Sequence, residues 1–175
     1  KNSWETDKLY AKSNKEEKII VVPALTGLGA PHWEPNVRGA IFGLTRNSSI
    51  AEVVKATLDS LSFQTLDLID SMKKDAKMKI TEIKVDGGMV KNNNFIQSLS
   101  NVTQINIIRP QNIETTSLGV AYLSAIQSGI LKNTSQINNF SKTQRIFKPQ
   151  ISKNEIKFQV KKWRKILKML IKVHV

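Results

Sequence analysis

Asp86-Gly87-Gly88-Met89-Val90-Lys91-Asn92 is the stretch of this 175-residue chain whose residue types and spacing best suit chemistry. Two adjacent glycines let a ring or a phosphate approach the backbone with no Cβ in the way. A helix starting at Asn92 or Asn93 would aim free amides and an Asn side chain at the same place. Such a site suits a nucleotide. An ordinary strand-to-helix turn that needs glycine for a positive φ fits the same residues.

Other candidates are weaker. Thr26-Gly-Leu-Gly-Ala-Pro-His-Trp33 has the glycines of a phosphate loop, but no Lys follows them and no helix pattern starts there. It reads as a packed surface loop. His32 has no carboxylate or nucleophile at a defined spacing and reads as a packing or hydrogen-bonding histidine, not a general base. Glu114, Thr115 and Thr116 stand where a helix begins, and capping or first-turn charge explains them. Cysteine is absent and His32 and His174 are the two histidines, so neither a thiolate nucleophile nor a Cys- or His-built metal site is expected.

The elements that would position the Asp86–Asn92 turn follow from periodicity. Ile80 to Val85 alternates as a strand and delivers the glycines at its carboxyl end, where ligands bind in open α/β sheets. A short helix that Asn92 or Asn93 can cap follows with Phe95, Ile96, Leu99 and Val102 inward, then a strand at Ile105 to Pro110. Next comes a helix rich in small residues (Gly119, Ala121, Ser124, Ala125), which allow close packing and which ends at Gly129. Upstream, Lys1 to Lys18 is a polar surface segment without an apolar period. Ile19 to Pro23 and Arg38 to Leu44 read as strands. Ser49-Ile-Ala-Glu52 has the spacing of a capping box. It opens a long helix whose buried stripe runs from Ile50 through Val53, Val54, Leu58, Leu61, Leu68, Ile69 and Met72, leaving Asp67 and Asp70 on the wet side. Ser141 to Gln150 reads as an irregular basic linker. Ser152-Lys-Asn-Glu155 caps a last helix with Ile156, Val160, Trp163, Leu167 and Leu170 on one stripe. Alternating strands and helices of this kind make an α/β layer fold.

Composition bounds the partners. With 40% apolar and 23% charged residues the chain belongs with folded globular proteins. Its longest apolar runs, such as Ile19 to Leu25, fall far short of the ~20 residues that cross a bilayer, so no membrane span is expected. A net charge of +13 raises nucleic acid as a partner. Eleven of the 27 Lys and Arg, however, lie between Lys142 and Val175 beside one acid, Glu155. That tail reads as the solvated face of a docking helix, ahead of a nucleic-acid or anionic-membrane contact, and no nucleic-acid partner is expected. The absence of cysteine is compatible with a cytoplasmic protein. No signal-peptide pattern follows Lys1, and a preceding segment is expected.

Thr26-Gly-Leu-Gly-Ala-Pro-His-Trp-Glu-Pro35, together with Arg38-Gly-Ala-Ile-Phe-Gly-Leu-Thr-Arg46, resembles the FGGY carbohydrate kinases. Among their branches it is most similar to the glycerol kinases. Gly39 through Glu52, Val53, Ala56 and Asp59 fits that family's second signature. Val85 to Asn93 is similar to its adenosine-binding turn, and Arg109-Pro110 with Glu114 to Tyr122 resembles the strand and helix that follow.

The resemblance, which covers Ile19 to the final helix, implies an α/β fold: a partial RNase H-like (actin-like ATPase) C-terminal lobe of a sugar or polyol kinase, followed by a basic amphipathic helix. It implies a leading segment at 1–18, a nucleotide-binding domain at 19–140 lacking its first strands, and a basic linker and helix at 141–175. ATP and Mg²⁺ are the implied cofactors. Glycerol is the implied substrate, phosphorylated to sn-glycerol 3-phosphate. Gly88 and Asn92 match positions that contact the adenine nucleotide, with Gly87 adjoining, while Met89 and Lys91 stand where smaller residues are usual. No catalytic or metal-binding residue is implied within the chain. The catalytic aspartate, the glycerol site and both phosphate loops are expected before Lys1, in an N-terminal lobe of the same enzyme that is this chain's implied partner. The chain alone is therefore expected to be inactive. The full-length parent leaves room for a homo-oligomer. The alternatives are an inactive remnant or binding module of this fold, and a kinase of another polyol or sugar.

Overall fold

The computed structural model describes residues 3–14, 16–140 and 142–174; Lys1, Ser141 and the His174 side chain fall outside them. A helix with no apolar period opens it: α1, Ser3–Lys12. Ten residues make too few backbone bonds to hold a helix in water, so tertiary contacts hold α1 where a surface segment without an element is expected. Tyr10 packs against the core around Leu58 and Phe95, and its hydroxyl donates to Asp59 Oδ1 at 2.6 Å. Asp7 Oδ1 accepts from the Asn94 amide at 2.9 Å.

β1 (Ile20–Val22) and β2 (Ala40–Phe42) pair antiparallel, with Val21 opposite Ile41. Helix α2 (Ile50–Ala76) starts at the expected capping box: Ser49 Oγ accepts from the Ala51 amide at 3.1 Å, and Glu52 Oε2 accepts from the Ser49 amide at 2.7 Å. Its burial departs from a single stripe. Ile50, Leu68 and Met72 are exposed, and Asp67, expected on the wet side, is buried. The reason is that α2 has two neighbours. Helix α3 (Asn93–Thr103) covers Leu58, and helix α5 (Lys153–His174) lays Trp163 on Phe63 with ring centroids 5.6 Å apart. The second patch encloses Asp67 because Arg164 Nε reaches its Oδ1 at 2.6 Å.

β3 (Glu82–Lys84), β4 (Asn106–Pro110) and β5 (Thr143–Phe147) form a sheet in that order. β3 and β4 run parallel with Ile83 opposite Ile107, joined through α3; β4 and β5 run antiparallel with Ile107 opposite Phe147. β5 corrects the expected irregular linker. Phe147 is buried and Ser100 Oγ donates to its carbonyl at 3.1 Å, so an open strand edge organises a segment whose apolar residues are Ile146 and Phe147 alone.

Helix α4 (Thr115–Gln127) ends near Gly129, whose φ of +77° is the expected left-handed one. Its start differs: Glu114 is the cap residue and makes no side-chain capping bond, so Thr115 and Thr116 lie inside the first turn. None of its residues is buried, so the close packing expected of its small residues is not made among the described residues. α5 buries Ile156, Trp163, Leu167 and Leu170 and half-buries Val160, the stripe read from the sequence.

Candidate functional site

β3 hands the chain to Asp86 and Gly87 at the carboxyl end of the parallel pair, where the Val85 amide still bonds to the Ile108 carbonyl at 3.0 Å. Gly87 then turns with φ +83° and ψ −179°, and its amide donates to the Ile113 carbonyl at 2.9 Å. That backbone region is open essentially to glycine alone. Gly88 begins a 3₁₀ turn, Gly88–Lys91, without a positive φ, and a Cβ placed on it would meet nothing within 4 Å. The protein itself leaves the space over Gly88 open.

Asn92 caps α3. Its Oδ1 accepts from the Phe95 amide at 2.8 Å and its Nδ2 donates to Thr6 Oγ1 at 3.2 Å, with the residue only 2% exposed. Both ends of the amide are thus engaged within the fold, and Asn92 acts on the turn by holding it. Gly87, Gly88 and Asn92 are brought together, two as backbone and one as anchor.

Arg109 is a determinant that residue types alone do not announce. Nearly buried at the end of β4, it donates through Nη1 to the Val90 carbonyl at 2.6 Å and to Asn93 Oδ1 at 3.0 Å, tying the 3₁₀ turn to the sheet. Its guanidinium lies 5.2 Å from the centre of the Phe147 ring, and its Nε is buried without a partner. Burial, and then the charge of Arg145, lower its pKa, with Asp7 acting the other way. The signal available in the sequence is an Arg placed immediately before the strand-ending Pro110. A cleft of about 760 Å³ opens beside the turn, lined by Lys91, Asn93, Arg109, Gln111, Glu114 and Gln144 among others. Polar and cationic, at the strands' carboxyl ends, it suits a polar anionic ligand.

The Thr26–Trp33 loop is packed tightly at Gly27 and open at Gly29. A Cβ on Gly27 would come within 2.7 Å of the Pro35 carbonyl oxygen, and Leu28 and Glu34 exchange backbone hydrogen bonds at 2.9 Å. His32 belongs to a different place from the glycine turn, with its Nε2 3.3 Å from Asp67 Oδ2. Arg164 completes that cluster by donating to Asp67 and, at 2.7 Å, to Asp70. Burial opposes its charge, but hydrogen bonds and attraction from Asp70 and Asp67 prevail and raise its pKa. A third polar group joins α1, α2 and α3: Asp59 Oδ1 accepts from Tyr10 and, at 2.6 Å, from Ser98, while Lys55 pairs with Oδ2. Burial, then the charge of Asp59, pushes the Tyr10 hydroxyl above its ordinary pKa.

Residues 1–128 match the FGGY family of carbohydrate kinases, C-terminal domain. The chain belongs to that family. Relatives of this FGGY domain include the glycerol kinases of Streptococcus gordonii and Streptococcus sanguinis, each 40% identical over 95% of this chain and 33% of its own length. A crystal structure of Plasmodium falciparum glycerol kinase with ADP superposes with a TM-score of 0.85 at 27% identity, over 95% of this chain and 33% of that one. A Brucella ovis xylulose kinase superposes at 0.82 with 17% identity over 97% of this chain and 35% of that one, a likeness of fold alone. The FGGY domain thus has the α/β architecture of the C-terminal, actin-like ATPase lobe, and it spans about a third of the curated relatives it matches.

Proposed function

We propose that this chain is the nucleotide-binding C-terminal part of a glycerol kinase, which transfers the γ-phosphoryl group of ATP to glycerol to give sn-glycerol 3-phosphate. The observation that carries this reading is the Gly87-Gly88 turn, where a glycine-only backbone and open space stand at the carboxyl end of β3. The 40% identity to streptococcal glycerol kinases supports glycerol over other polyols and sugars. Gly87 and Gly88 receive the adenosine, and Asn92 keeps the turn in shape from behind. Residues 1–18 lead into the nucleotide-binding unit at 19–140, and 141–175 close it.

ATP with Mg²⁺ supplies the phosphoryl group and neutralises its charge when bound. Mg²⁺ would arrive with the nucleotide phosphates, as it usually does in phosphoryl-transfer sites. The groups that deprotonate glycerol belong to an N-terminal lobe of the same enzyme, matching the remaining two thirds of the relatives, and the enzyme works in the cytoplasm. No helix of the described residues is long and apolar enough to cross a membrane.

Mixing this chain with a separately expressed N-terminal two thirds of a glycerol kinase tests the reading. Glycerol-dependent ATP turnover is expected in the mixture and in neither part alone. Turnover by this chain alone, or nucleotide binding that ignores Gly88, would count against it.

A further inference from the structure

Helix α5 carries two sets of apolar residues whose centres lie about 120° apart around its axis. The inner one, Ile156, Trp163, Leu167 and Leu170, is buried in the core. The outer one consists of Phe158, Met169 and Val173, exposed at 73%, 54% and 80%. At about 100° per residue, Phe158 and Met169 fall within about 20° of one another, and Val173 lies about 60° from Phe158. Lys161, Lys162, Lys165 and Lys172 are exposed in the same half of the helix surface. None of these four lysines forms an ion pair among the described residues, and Glu155 is the one acid of the helix. A merely solvated basic face has no use for an exposed phenylalanine, methionine and valine in line.

We propose that this outer face docks on an anionic lipid bilayer, with α5 lying in the plane of the headgroups. Phe158, Met169 and Val173 enter the acyl boundary, and the lysines bend their stems upward to meet lipid phosphates and carboxylates. Charge complementarity selects the partner. The negative cytoplasmic leaflet attracts a row of unpaired lysines, and the exposed Phe158, Met169 and Val173 among them can enter the boundary beneath the headgroups. A nucleic-acid strand would engage the lysines but leave the aliphatic side chains in water, and Phe158 is the one aromatic side chain on this face to stack on a base. The buried inner stripe keeps α5 attached to the domain while the outer face is engaged, so binding requires no unfolding.

Co-sedimentation of the full chain with phosphatidylcholine vesicles, with and without phosphatidylserine, tests this. Pelleting is expected only with phosphatidylserine and should fall as salt rises. Lys161→Ser with Lys165→Ser should weaken partitioning about 30-fold, at roughly fivefold per lysine. Phe158→Ser with Met169→Ser should weaken it about tenfold or more, leaving circular dichroism and the melting temperature unchanged because both side chains lie outside the core. Phe158→Trp provides an independent readout, and its emission should move to shorter wavelength on phosphatidylserine vesicles. Four results overturn the proposal: no pelleting, equal pelleting with neutral vesicles, parental affinity in Phe158→Ser/Met169→Ser, or a salt-sensitive complex with an RNA oligonucleotide while vesicles stay free.

Discussion

Replacing the two glycines of the turn one at a time separates what the fold needs from what a ligand needs. Gly87 holds φ +83° and ψ −179°, where an L side chain is strained even though a Cβ there would meet nothing within 4 Å. The cost of Gly87→Ala is therefore a backbone cost, about 1–3 kcal/mol. Gly88 has neither a positive φ nor a neighbour within 4 Å of a built Cβ. Gly88→Ala should stay within about 0.5 kcal/mol of the parent, or gain slightly by restricting the unfolded chain. With a urea slope of about 2 kcal/mol/M, the Gly87→Ala midpoint falls by about 0.5–1.5 M while that of Gly88→Ala holds. Nucleotide binding should rank the sites the other way. The parent chain alone is expected to bind ATP no better than roughly millimolar, about −4 kcal/mol. Gly88→Val, which fills the space offered to adenosine, should weaken this at least about tenfold in an NMR titration, or about 1.4 kcal/mol. Parental affinity in Gly88→Val, or a Gly88→Ala midpoint as low as that of Gly87→Ala, would refute the argument.

Trp163→Ala removes the indole that stacks on Phe63 and donates to the Val21 carbonyl at 3.3 Å; it should cost about 3–5 kcal/mol, and an unchanged melting temperature would contradict the packing. The Glu52 carboxyl is held down to about 2 by hydrogen bonds from the Ser49 side chain and from the Asn14 and Ser49 amides. Its folded pKa lies below the unfolded 4.5, so its contribution is complete above that pH and is lost as the pH falls toward 2. Glu52→Gln should flatten acid unfolding in that window, and coincident parent and variant curves would exclude the linkage. Arg109→Ala removes both donations from Nη1, to Val90 and to Asn93, and should cost about 1–3 kcal/mol with faster amide exchange across the 3₁₀ turn; unaltered exchange there would mean that Arg109 does not hold it.

What was legible in the sequence is what short-range chemistry decides. The Ser49–Glu52 capping box, the inward face of α3 and the left-handed Gly129 each depend on residues within a turn or two of one another. What was not legible depends on distant partners. Asp67 looks wet until Arg164, on another helix, reaches it, and the stretch 141–150 reads as an irregular basic linker until β4 offers residues 143–147 an edge. The candidate site divides along the same line. Adjacent glycines after a strand locate the turn, and the helix cap read at Asn92 is the bond its Oδ1 accepts from Phe95, but nothing near Asn92 in sequence shows that the other end of its amide is held by Thr6. Thr6 belongs to α1, and Asp7 beside it holds the amide of Asn94. The helix with no apolar period of its own therefore braces the turn from behind. This agrees with a family match that begins at residue 1, ahead of the first strand. Loosening α1 should consequently disturb the glycine turn before it disturbs the Trp163 core, because α1 packs on α2, α3 and the 3₁₀ turn itself.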